Sequence, residues 1–65
     1  MLSVVVPVYN EEAVVPDFHR RLSAVLSSLG ARAEVLYVND GSTDRTPSLL
    51  QMLRAADQVV GVLDL

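Results

Sequence analysis

Two clusters of polar side chains, each directly after an apolar run, could carry out chemistry in this chain. The first is Tyr9-Asn10-Glu11-Glu12, and the second is Asn39-Asp40-Gly41-Ser42-Thr43-Asp44. Their oxygens and amides can bind a ligand, and the glycine allows a sharp turn or a close approach of the backbone. If the apolar runs are parallel strands, both clusters lie at the strands' carboxyl ends, where α/β sheets bind ligands.

The second cluster also has structural explanations. Asn-Asp-Gly favours a turn in any protein, so a structural turn and a ligand-binding loop both stay open. A hairpin is disfavoured, because the apolar residues between 49 and 56 recur at helical spacing. A calcium loop is excluded, because its first, third and last ligand positions would fall on Leu36, Val38 and Pro47, which lack side-chain oxygens.

The first cluster also has two interpretations. Glu11 and Glu12 precede a predicted helix, where carboxylates interact favourably with the positive end of the helix dipole. They could equally face a ligand, Glu11 more readily because it lies closer to the end of the strand. Tyr9 suits either a place in the core or stacking against a planar ligand.

These clusters must be positioned by five regular elements. Continuous β-branched runs predict strands that are covered on both faces, and periodic apolar residues predict amphipathic helices. The predicted order is β-α-β-α-β, an α/β fold with a parallel sheet. The strands are Leu2–Val8, Glu34–Asn39 and Val59–Leu63, and the helices are Val14–Leu29 and Pro47–Ala56.

Residue types also predict how the helices begin, end and pack. Pro16 and Pro47 suit first turns, Gly30 suits a left-handed stop, and Asp44 or Thr46 could cap the second helix. His19, the only histidine, falls off the apolar stripe of the first helix and is predicted to face solvent. That stripe, predicted to be buried, comprises Phe18, Leu22, Val25, Leu26 and Leu29.

The connections predict that one face of the sheet is open. Crossovers between parallel strands are right-handed in nearly all cases. If each strand is added on the same side of the previous one, both helices lie on one face. The other face would then expose valine and leucine side chains, which suggests that the chain is part of a larger domain.

Composition narrows the class of protein. The chain has 65 residues, 51% of them hydrophobic, a net charge of −3 and no cysteine. A disulfide scaffold and thiolate metal sites are therefore excluded. Disorder is not expected at this apolar content, and nucleic-acid binding is not expected without a basic surface. No apolar run is long enough for a membrane span, and the amino-terminal residues do not resemble a signal peptide.

Both clusters together resemble the opening of a family 2 glycosyltransferase with the GT-A fold. The shared pattern is V-P-x-Y-N-E-E at residues 6–12 and V-N-D-G-S-T-D at residues 38–44, about 25 residues apart. The Asn-Asp-Gly-Ser form of the second cluster is most similar to that of the polyprenol-phosphate sugar transferases, the dolichol-phosphate mannosyltransferase type. The resemblance covers residues 1–65 as the N-terminal, nucleotide-binding part of such a domain, an incomplete half of a Rossmann-like sheet.

The resemblance implies a nucleotide site. Pro7, Tyr9 and Glu11 would line the pocket for base and ribose, while Asp40, followed by Gly41, would accept a hydrogen bond from the base. A carboxylate needs an N–H donor, which the imide of uracil and the N1 and amino groups of guanine supply and adenine does not match. UDP- or GDP-sugars are therefore the expected donors, with transfer to an acceptor that could be a polyprenyl phosphate.

Parts of the family's machinery are not found in this sequence. The family's Asp-x-Asp motif, which holds Mg²⁺ or Mn²⁺ on the donor diphosphate, and its catalytic base are missing, and Asp64 alone does not replace them. We therefore expect no catalytic residue or metal site within the chain and no activity of the chain alone. The remainder of the domain is an expected partner, and the expected location is cytoplasmic, with full-length relatives often associated with membranes.

Two other functions are alternatives to sugar transfer. A small non-enzymatic α/β module could bind a nucleotide or a partner through the open sheet face. A dinucleotide-binding Rossmann half is disfavoured, because the first loop carries Glu11 and Glu12 where a glycine-rich phosphate loop would be needed.

Overall fold

The strands and helices of the chain follow the predicted β-α-β-α-β order. The computed structural model describes residues 1–30 and 32–65. Each observed boundary lies within one residue of the prediction, so the local sequence signals determine the elements well. The elements are β1 (Leu2–Val8), α1 (Val15–Leu29), β2 (Ala33–Asn39), α2 (Thr46–Ala56) and β3 (Val60–Asp64).

The three strands form one parallel sheet in the order β1-β2-β3. Val8 is opposite Asn39, and Asn39 is opposite Asp64. All three strands therefore end side by side, which brings the segments after β1 and β2 to the same edge of the sheet. The predicted α/β fold, a Rossmann-like half-sheet, is confirmed.

Both helices pack on the same face of this sheet. Val15 of α1 and Leu50 of α2 share one buried cluster with Val35 and Tyr37 of β2. On the opposite face Val5 is 61% exposed. The expectation of one covered and one open face is thus confirmed for the described residues.

Pro7 lies inside β1 rather than ending or interrupting it. The carbonyl of Val8 accepts a hydrogen bond from the Asp40 N–H, 3.0 Å away, so the backbone polar groups of Val8 point toward β2. Because the backbone polar groups of successive strand residues point in opposite directions, the backbone nitrogen of Pro7 points toward the open edge of the sheet. Its missing N–H costs no hydrogen bond with β2, and the pairing continues past it.

The buried stripe of α1 differs from the prediction. Phe18, Val25 and Leu29 are 38%, 55% and 62% exposed. The prediction was wrong for these three residues but correct for Leu22 and Leu26, because the inward side of the helix is rotated toward His19. The residues that pack inward are Val15, His19, Leu22 and Leu26, at i, i+4, i+7 and i+11.

His19 is buried, so the prediction of a solvent-facing histidine was wrong. Its Nδ1 lies 2.6 Å from the Tyr37 hydroxyl, and its Nε2 lies 3.4 Å from a carboxylate oxygen of Asp57 and from the Ser23 hydroxyl. These partners satisfy the polar ring inside the core. The arrangement is simplest if Tyr37 donates to Nδ1 and the Nε2–H faces Asp57.

The helix ends follow the predicted chemistry in part. Gly30 caps α1 in the left-handed region, with φ of 65°, as predicted. The cap position of α2 is Arg45, rather than Asp44 or Thr46. Asp44 nevertheless accepts a hydrogen bond from the Thr46 N–H at 2.8 Å, so it satisfies a free donor of the first turn from one position earlier.

Neither helix in the described part of the chain is both long enough and apolar enough to cross a membrane.

Alkaline pH should test the buried contact of Tyr37. Burial, aided by the negative charge of Asp57, raises the pKa of Tyr37 from 10.0 to about 12. Between these values the unfolded chain releases this proton while the folded chain keeps it, so the free energy of unfolding should fall as the pH rises. We expect a loss of about 2 kcal/mol in urea unfolding.

The Tyr9→Phe variant isolates the signal, because it leaves Tyr37 as the sole tyrosine. Tyrosinate absorbance of this folded variant should reach its midpoint near pH 12. A midpoint near 10 would contradict the buried contact.

Candidate functional site

The candidate site consists of the two segments that follow β1 and β2. We call residues 9–14 the first loop and residues 40–45 the central loop. Side chains of one loop bond repeatedly to the backbone of the other, across more than 30 positions of sequence. The loops are therefore one unit in the structure, and the parallel pairing of β1 with β2 brings them together.

Asn10 supplies the largest number of contacts between the loops. Its side-chain oxygen accepts hydrogen bonds from the N–H groups of Thr43, at 2.7 Å, and Asp44, at 3.3 Å. Its backbone has a φ of 49°, in the left-handed region that asparagine tolerates better than most residues. Sequence analysis missed this role, although an asparagine two residues after the end of a strand was the available signal.

Three consecutive N–H groups of the first loop donate in the opposite direction. Those of Asn10 and Glu11 bond to the hydroxyls of Ser42, at 3.0 Å, and Thr46, at 2.9 Å. That of Glu12 bonds to Asp44 at 3.3 Å. Thr46 is fully buried, so its hydroxyl anchors the first loop to the start of α2.

Asp44 is held ionised by these contacts. Desolvation tends to raise the pKa of its carboxyl, but hydrogen bonds from the side chain and backbone of Thr46 and from the Glu12 N–H outweigh it and lower the pKa. The stabilisation is therefore present above the usual pKa of aspartate and is lost as the pH falls through the lowered one.

Asn39 extends the network to the third strand. Its side chain is buried, its Oδ1 accepts from the Ser42 N–H at 3.2 Å, and its Nδ2 donates to Asp64 at 3.0 Å. Asn10, Ser42, Asn39 and Asp64 thus form a continuous chain of hydrogen bonds across the carboxyl ends of β1, β2 and β3.

The predicted site residues surround this network without forming its interior. The side chains of Tyr9, Glu11 and Asp40 are exposed, which rules out the core position considered for Tyr9. Gly41 has a φ of 71° and open space where a side chain would be. The network therefore fixes the backbone and leaves these groups directed toward solvent.

The five predicted site residues do not line one common hollow in the described part of the chain. Pro7 and Glu11 line a hollow of about 200 Å³ beside α1, with Val14 and Phe18. Tyr9, Asp40 and Gly41 lie outside it. A larger hollow of about 580 Å³ is at the amino ends of the strands, away from both loops.

The described residues do not fit a divalent metal site of the kind that the resemblance implies. No three acidic, histidine or cysteine side chains among residues 1–30 and 32–65 come close enough together to hold an ion. Asp64 is engaged by the Asn39 amide. The Mg²⁺ or Mn²⁺ expected for the full-length family thus stays a prediction.

Comparison with known sequences decides the family. Residues 3–65 match the family described as Glycosyl transferase family 2. The chain belongs to glycosyltransferase family 2. The predicted resemblance is thereby confirmed over nearly the whole chain, and both loops lie inside the matched region.

Relatives of this family 2 chain include polyprenyl-phosphate sugar transferases. It is 49% identical over 57 residues to the undecaprenyl-phosphate 4-deoxy-4-formamido-L-arabinose transferase of Pseudomonas paraeruginosa, covering 88% of this chain and 17% of the relative. The enzyme of that name from Klebsiella pneumoniae is 41% identical over 64 residues, covering 95% of this chain and 20% of the relative.

The uncharacterized glycosyltransferase YkcC of Bacillus subtilis is 42% identical over 62 residues, covering 95% of this chain and 19% of the relative. The family 2 chain thus spans about a fifth of the length of these relatives. No solved structure is significantly similar to it.

Substitution of Asn39 should test the network. Asn39→Asp would place a buried carboxylate about 3 Å from the exposed carboxylate of Asp64 and remove the donor to Asp64. We expect the free energy of unfolding in urea at neutral pH to fall by about 2 kcal/mol or more.

The double variant Asn39→Asp/Asp64→Asn exchanges acceptor and donor and serves as the control. It should recover most of the lost stability. Equal stability of the single variant and the wild type would show that the Asn39–Asp64 contact does not stabilise the fold.

Proposed function

We propose that the two loops bind the nucleoside part of a UDP- or GDP-sugar, as one half of the donor site of a glycosyltransferase. Family membership supports sugar transfer as the reaction class of the whole protein. The observation that carries the proposal is the placement of Tyr9 and Asp40. Both have exposed side chains on loops whose backbones are fixed to each other by hydrogen bonds.

Asp40 is suited to recognise the base. Its backbone is held by the hydrogen bond to Val8, while its side chain lies exposed at the end of β2. The carboxylate accepts hydrogen bonds and cannot donate them when ionised. Uracil and guanine present imide-type N–H donors and adenine does not, so uridine and guanosine nucleotides fit and adenosine nucleotides do not.

The other predicted residues complete a surface for base and ribose. Tyr9 is 56% exposed, so its ring is available to stack on a base. Pro7 and Glu11 line the adjoining hollow. Gly41 keeps the backbone beside Asp40 free of a side chain that would obstruct a bound nucleotide.

The charge of the loops favours a nucleoside over a diphosphate. Glu11, Glu12, Asp40 and Asp44 are four of the chain's eight acidic residues, and Arg45 is the only basic residue in the two loops. A diphosphate would be repelled here. We propose that Mg²⁺ or Mn²⁺ on the donor is held by carboxylates outside this chain, so that the chain alone does not transfer sugar.

The names of the relatives support a lipid-linked acceptor. Those from Pseudomonas and Klebsiella are named as undecaprenyl-phosphate transferases. We therefore propose that the whole protein transfers its sugar to a polyprenyl phosphate, at the cytoplasmic surface of a membrane.

One feature favours the alternative of a partner-binding module. The sheet face opposite the helices exposes Val5 and, at 47%, Leu63. Parallel sheets are usually covered on both faces, so another polypeptide would suit this surface. The family match supports the transferase assignment, and the two proposals differ in whether a nucleotide binds.

Nucleotide selectivity tests the proposed function. By calorimetric titration, UDP or GDP should bind at least about tenfold more tightly than ADP, because adenine has no imide-type N–H to donate to the Asp40 carboxylate. Asp40→Asn should weaken binding of the preferred nucleotide about tenfold, because a charge-assisted hydrogen bond becomes a neutral one.

Glu34→Gln provides the matched control, since it removes the same charge at the amino end of β2. It should leave nucleotide affinity unchanged. If ADP bound as tightly as UDP and GDP, or if both substitutions weakened binding equally, the assignment of Asp40 would be wrong.

A further inference from the structure

We infer that Asn10 is the positioning residue of the nucleotide-binding surface, acting through the backbone of the central loop rather than by touching the nucleotide. The inference rests on the proposed function, because the affected property is nucleotide affinity. Asn10 is not one of the five residues that the family resemblance predicts for the nucleotide site. Its contacts nevertheless decide how the segment after Asp40 and Gly41 is held.

The central loop depends on Asn10 for its ordered backbone. The N–H groups of Thr43 and Asp44 both point at the Asn10 side-chain oxygen, and the Thr43 hydroxyl lies 3.4 Å from the same atom. Two converging donors require an oxygen there, which settles the orientation of the amide. Without this acceptor, the Thr43 N–H has no other partner among the described contacts.

Gly41 makes this dependence stronger. Its φ of 71° lies in the left-handed region and nothing surrounds the position of a side chain. A glycine without neighbours restricts the chain little, because it adopts many backbone conformations. The segment from Asp40 to Ser42 is therefore fixed from its two ends. The Asp40 N–H bonds to the Val8 carbonyl before Gly41, and beyond Gly41 the chain is held by the bond of the Ser42 N–H to Asn39 and by the contacts of Asn10.

Asn10 meets two requirements together. The backbone must adopt a φ of 49°, and the side chain must reach across to the central loop with an acceptor. Glycine satisfies only the first requirement, and alanine satisfies neither. Aspartate satisfies both, since it tolerates the left-handed region and offers oxygens at the same reach.

The test compares Asn10→Gly with Asn10→Asp in the 65-residue chain. Amide hydrogen exchange without ligand reports the loop, and calorimetric titration with UDP and GDP reports the site. We expect Asn10→Gly to accelerate exchange at Thr43 and Asp44 and to weaken binding of the preferred nucleotide about tenfold. Asn10→Asp should keep both within about threefold of the wild type.

Leu26→Val is the control for a general loss of stability. It trims a partly buried side chain in the second half of α1, away from both loops. It should lower the melting temperature without changing nucleotide affinity or accelerating exchange selectively at Thr43 and Asp44.

Three results would overturn the inference. They are unprotected Thr43 and Asp44 amides in the wild-type chain, unchanged exchange or affinity in Asn10→Gly, and a loss of affinity in Leu26→Val equal to that in Asn10→Gly. If the wild type bound neither UDP nor GDP, the proposed function would fail separately, and the exchange data would still decide whether Asn10 orders the loop.

Discussion

The structure depends on hydrogen bonds between the side chains of one strand-end loop and the backbone of the other. Parallel pairing of β1 with β2 brings the loops together, but pairing ends at Val8 and Asn39. Beyond that point Asn10, Ser42, Asp44 and Thr46 supply the donors and acceptors that the sheet no longer provides. Because these residues satisfy the backbone, Tyr9 and Asp40 remain available for a ligand.

The elements and topology were readable from the sequence, because apolar periodicity, prolines and glycines act locally. Pro16, Gly30 and the β-branched run of β1 predicted their elements to within a residue. The open sheet face followed from connection rules alone. The site could be predicted only in part. Its roles rest on the family resemblance and stay predictions for Pro7, Tyr9, Glu11, Asp40 and Gly41.

Side-chain contacts between residues far apart in the sequence could not be predicted. The exposed or buried state of His19 depends on the Tyr37 hydroxyl and the Asp57 carboxylate, 18 and 38 positions away. The roles of Asn10 and Thr46 likewise need partners more than 30 positions distant. In the sequence alone, a polar residue whose partner is unknown resembles a surface residue. The sequence therefore predicts a solvent-facing His19 and indicates no structural role for Asn10.

We propose above all that the two loops form one nucleotide-binding surface. Its most direct test is a two-dimensional amide spectrum of the labelled chain, recorded during addition of UDP, GDP and ADP. We expect dispersed peaks and shifts with UDP or GDP in both loops together, at Tyr9, Glu11, Asp40 and Gly41. Shifts confined to one loop, shifts at the amino ends of the strands, or no response to any nucleotide would contradict it.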